Sequence, residues 1–78
     1  MTVNIELLTA IDKRLMAAGD EQVEKARNEQ ERARECRAHG EKRVADLADE
    51  YAWALRNQAD GWWSAAAIVR RMVEDAEA

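Results

Sequence analysis

No proline occurs in the 78 residues, and only three glycines interrupt the chain, at positions 19, 40 and 61. Proline is the strongest helix breaker and glycine the next, so little in this sequence can stop a helix once it has begun. Strands are disfavoured too, because no stretch alternates apolar and polar residues over strand length. Charged residues reach 36% with both signs mixed, as in helices with solvated faces. The expected fold is all-α, in a single domain over residues 1–78.

The glycines set the expected boundaries. Thr2 or Asn4 can cap a first helix, in which Leu7, Leu8, Ile11, Leu15 and Ala18 recur at helical spacing. Gly19 offers a left-handed C-terminal position and Asp20 an immediate new cap, which predicts a turn at 18–20. The segment that follows is polar. Glu21–Lys25 sits at i,i+4, while Glu24–Arg27, Glu29–Arg32 and Glu31–Arg34 sit at i,i+3. Gly40 can end or weaken that helix. Asp60-Gly61 is a turn signal with Ser64 a cap beyond it, although the apolar pattern stays in phase across Gly61. The expectation is a bundle of about three helices: 3–18, 20–59 with a break available near 40, and 62–77.

Composition makes a monomeric core thin. Sixteen of the apolar residues are alanine, against five Leu, three Ile, five Val, three Met, three Trp, one Tyr and no Phe. Alanine favours helix but buries little area, so either the helices pack closely through alanine or a second chain completes the core. Val44, Ala48, Tyr51, Leu55, Gln58, Trp62, Ala65, Val69, Met72 and Ala76 alternate spacings of four and three, and Leu47 widens the stripe. Such a stripe predicts helix packing at a shallow angle. Val44, Leu47, Tyr51, Leu55, Trp62, Val69 and Met72 are its candidate core or dimer residues, and a homodimer is expected to complete the fold. Gln58 is the one polar member, a type of residue that fixes register.

The N-terminus has neither the basic start nor the apolar run of a signal peptide, and no segment is apolar enough to span a membrane. A lone Cys36 excludes an intramolecular disulfide and suits a reducing cytoplasm. The net charge of −4 lies wholly in residues 44–78, where seven acids face Arg56, Arg70 and Arg71. That distribution disfavours nucleic acid and favours a protein partner with a basic or mixed-charge surface. The arginines and lysines at 27, 32, 34, 37, 42 and 43 scatter around their helix among as many acids, without a basic stripe or stacking aromatics.

Chemistry-bearing patterns are few. Cys36-x-x-His39 has the spacing of two metal ligands one turn apart, but zinc takes four and only a dimer could supply the rest. The plainer reading is a small packing residue beside a solvated histidine. No oxyanion site, phosphate loop or carboxylate pocket accompanies it, so neither catalysis nor a cofactor is expected. The aromatic residues say more. Tyr51 and Trp62 fall on the stripe; Trp53 and Trp63 do not. On a continuous helix the latter two share a side with Asp49, Arg56, Asp60 and Arg71. Tryptophan and arginine flanked by carboxylates have the composition of a binding hot spot, while the plainer reading makes both tryptophans core.

The function expected from these features is a non-enzymatic protein-binding module, an adaptor or an inhibitor of a larger complex. Short acidic helical chains are common among phage and mobile-element proteins that block host machinery, so an anti-defence role of the anti-CRISPR kind is the specific expectation. The alternatives are a dimeric DNA-binding regulator and a structural coiled-coil assembly factor.

Overall fold

The computed structural model describes residues 4–78. Two helices account for nearly all of it: α1 from Ile5–Ala38 and α2 from Lys42–Glu77, 34 and 36 residues long. They pack side by side as a hairpin measuring 60 × 15 × 14 Å. The expected bundle of three helices is therefore corrected to two. Of the three glycines, only Gly40 marks a turn.

Each end of α1 is explained locally. Asn4 caps the start, its side-chain oxygen accepting a hydrogen bond from the Leu7 amide at 3.0 Å. Thr2, the other candidate cap, lies outside the described residues. At the far end Gly40 adopts φ +78°. The Glu41 amide donates back to the Cys36 carbonyl at 2.8 Å, and the Gly40 amide to Arg37 at 3.1 Å. These two bonds form a Schellman motif, which satisfies helix-end carbonyls and needs a left-handed residue after the cap. Here His39 is the cap, and α2 begins three residues later.

Gly19 and Gly61 lie inside helices. A single glycine costs a helix about 1 kcal/mol, which packing along the rest of the helix outweighs. Gly61 is exposed, and a Cβ there would meet nothing within 4 Å. We expect Gly61→Ala to stabilise the chain by up to about 1 kcal/mol, and Gly40→Ala to destabilise it by about 1–2 kcal/mol through left-handed strain. Opposite shifts of the thermal midpoint, read by circular dichroism at one protein concentration, check both.

The packing seam lies beside the stripe expected to form it. Its buried residues are Gly19, Ala26 and Ala33 on α1 with Ala45, Ala48, Ala52, Leu55, Ala59 and Ala66 on α2. Leu55 is the only bulky side chain in that set. Small residues thus recur every seven positions on both helices, which keeps them facing one another along a shallow crossing. Alanine loses no side-chain rotamer freedom on burial and lets the two backbones approach closely. The seam forms two clusters: Ala26 with Ala52 and Leu55, and Ala33 with Ala45, Ala48 and the half-buried Cys36. No large side chain is fully buried among the described residues.

Candidate functional site

Helical periodicity of about 100° per residue gives the hairpin two unlike long sides flanking the alanine seam. One side is polar and ties the helices together. Arg37 of α1 spans two carboxylates of α2, reaching Asp46 at 2.9 Å and also Asp49. Arg56 donates to the side-chain Oε1 of Gln30 at 2.8 Å. Arg70 forks onto Asp12 at 3.0 and 3.4 Å. All three links are exposed hydrogen bonds or ion pairs, which solvent screens and which therefore add little to stability. Spread along the hairpin, they set how the helices are rotated against one another more than how tightly they bind.

Hydrogen bonds from Arg37 to Asp49 and then Asp46 raise its guanidinium pKa above its ordinary value. A raised basic pKa favours the fold at every pH below it, and the benefit fades only in strong alkali, where arginine loses its proton. Titration of Arg37 therefore changes nothing near neutrality.

The candidate partner residues fall into separate places. Asp49 and Arg56 are engaged in the links between helices. Trp53 stands out from the polar side with 69% of its surface exposed. Asp60 and Arg71 recur on that side at helical spacing and are exposed as well. Trp63 does not join them. It lies half-buried at the seam, its indole ring pressed against Gly19. Its Nε1 is buried without a hydrogen-bond partner, as is the Oε1 of Gln22, one turn beyond Gly19 on α1. A buried polar group without a partner costs about 1–3 kcal/mol.

The other long side is apolar. Val44, Leu47, Tyr51, Trp62 and Met72 are all exposed, Leu47 by 58%, and Val69 is half-buried. Of the stripe, only Ala48 and Leu55 enter the seam, and Leu55 is the one bulky residue to do so. Where α1 adjoins this side, Glu29 and Arg32 meet Val44, Leu47, Ala48 and Tyr51 around a shallow groove. Leu7 of α1 is also exposed there, one flank away from the seam.

Cys36 packs against the seam and His39 is the exposed helix cap. Among the described residues no group of three or more His, Cys, Asp or Glu side chains could hold a metal ion together. The basic residues of α1 are partly neutralised on their own helix, by Lys25–Glu21 at 3.5 Å, Arg27–Glu24 at 3.2 Å and Arg32–Glu29 at 3.9 Å. Among the described residues no helix is long and apolar enough to cross a membrane.

Close packing of the helices through alanine is one of the two arrangements that the composition allows, and it is the one found; what local spacing did not single out is its run along both helices. Its signal was present, because Gly19, Ala26 and Ala33 stand seven residues apart, as do Ala45, Ala52, Ala59 and Ala66. Comparison with known protein families, curated proteins and solved structures finds no match for this chain.

Proposed function

We propose that the chain is a non-enzymatic protein-interaction module, an adaptor or inhibitor that works by presenting surface. The observation that carries this reading is an inversion of the usual arrangement. Alanines fill the seam, while Trp53, Trp62, Tyr51, Leu47, Ile68 and Met72 are displayed outside. Exposed aromatic side chains with a polar rim have the composition of recognition hot spots. On the polar side that anchor is Trp53, with Asp60 and Arg71 as its rim. The acidic excess of residues 44–78 suits a partner with a basic or mixed-charge surface. Small size and acidic helical character make an anti-defence inhibitor the specific form of this reading.

Trp53→Ala supplies the test. Because Trp53 is largely exposed, its loss should change stability by no more than about 0.5 kcal/mol. We expect the wild-type chain to capture a stoichiometric partner from its host that the variant, equally helical, fails to retain. Capture unaffected by Trp53→Ala would remove this face from the reading.

A further inference from the structure

The apolar side runs along most of α2, and nothing among the described residues covers it. We propose that its occupant is a second copy of this chain, packed α2 against α2 in antiparallel fashion, with the two-fold axis passing through Gln58. The inference rests on the same reading of displayed apolar groups as contact surface, applied to the side opposite Trp53.

Area argues for a copy of substantial footprint. The chain exposes 6008 Å², about 1,200 Å² more than a compact monomer of its 8.9 kDa would expose. A stable interface buries about 800 Å² from each partner, so one docked copy accounts for most of that excess. Two hairpins joined this way make a four-helix bundle, in which facing helices bury their apolar stripes in a common core. The large side chains of α2 then enter a core that its alanine seam leaves without bulk.

The residues also suit this register. Gln58 lies at the midpoint of the exposed stripe from Val44 to Met72 and is its single polar member. On the axis it meets the partner's Gln58, and two side-chain amides can pair with each other, each donating and accepting. Moving outward, large groups fall opposite small ones. Tyr51 faces the partner's Ala65, and Trp62 faces the partner's Ala54. Val44 and Leu47, which border the shallow groove, receive the partner's Met72 and Val69. Charge agrees as well. The basic start of α2, Lys42 and Arg43, comes beside the partner's acidic end at Glu74, Asp75 and Glu77. Parallel pairing would instead set the two acidic ends together.

Light scattering coupled to gel filtration should give twice the 8.9 kDa chain mass. In a Cys36→Ser background, Gln58→Cys should cross-link to a covalent dimer on oxidation, because position 58 meets its own copy. Leu47→Cys should not, since antiparallel pairing separates the two copies of position 47 by 22 residues, about 33 Å. Tyr51→Glu should lower the mass to that of one chain. A folded wild-type chain of single mass overturns the proposal, and so does a dimer in which Gln58→Cys fails to cross-link or Leu47→Cys succeeds. Trp53→Ala lies on the other side and should leave the dimer intact. Failure of partner capture and failure of self-association are therefore told apart.

Discussion

Gly19→Ala should destabilise the protein by about 1–3 kcal/mol, the usual cost of overpacking a core, although the same exchange in an exposed helix stabilises by about 1 kcal/mol. The reason is Trp63. A Cβ on residue 19 would overlap the indole Nε1 and Cδ1 and stand only 2.9 Å from Cε2. These atoms belong to a rigid ring and not to the end of a flexible chain, so relief requires the ring to rotate out or the helices to part. The sign should reverse once the ring is gone. In a Trp63→Ala background, Gly19→Ala should become stabilising by up to about 1 kcal/mol, as helix propensity then acts alone. A double-mutant cycle by urea unfolding, at one protein concentration, measures that coupling. Simple additivity of the two substitutions would show that Gly19 and Trp63 do not share space.

The second large effect concerns the seam. Ala26 is fully buried against Ala52 and Leu55, and the close approach of the helices there depends on its small size. Ala26→Leu should cost about 1–3 kcal/mol or more, despite leucine being an excellent helix former and more apolar. Ala10→Leu is the matched control, since Ala10 is exposed on the same helix. It should stay within about 0.5 kcal/mol. Equal midpoints for the two variants in thermal unfolding would mean that the helices are not in close contact at residue 26.

These two substitutions also explain what could be read from the residues and what could not. Helical class, the Asn4 cap and a break near Gly40 were all legible, because each depends on neighbours in sequence. Gly19 and Gly61 misled for the same reason. Each stands next to an aspartate, a local cue for a turn, yet Gly19 is fixed by Trp63, a residue 44 positions away in sequence. The stripe was misplaced by weighting side-chain size. Tyr51, Trp62 and Met72 have the larger hydrophobic surface, but two helices of one hairpin can approach most closely where the residues are smallest. The seven-residue spacing of alanine carried that information, and bulk drew attention to the adjacent side. For the candidate site, the polar side was legible only in outline. Trp53, Asp60 and Arg71 remain exposed there, while links between helices engage Asp49 and Arg56, and Trp63 turns to the seam. Those links depend on how α1 and α2 are aligned, which local spacing does not reveal.

The turn at Gly40 brings Ile5 and Glu77, the outer limits of the two helices, to one end of a rod 60 Å long. A pull applied between those limits peels the helices apart sideways. It loads the outermost seam contacts first and the Ala33–Ala45 cluster last. Each step opposes only a few side chains at a time, so the hairpin yields like a zipper at low force. Compression along its axis, by contrast, is borne by both helices at once.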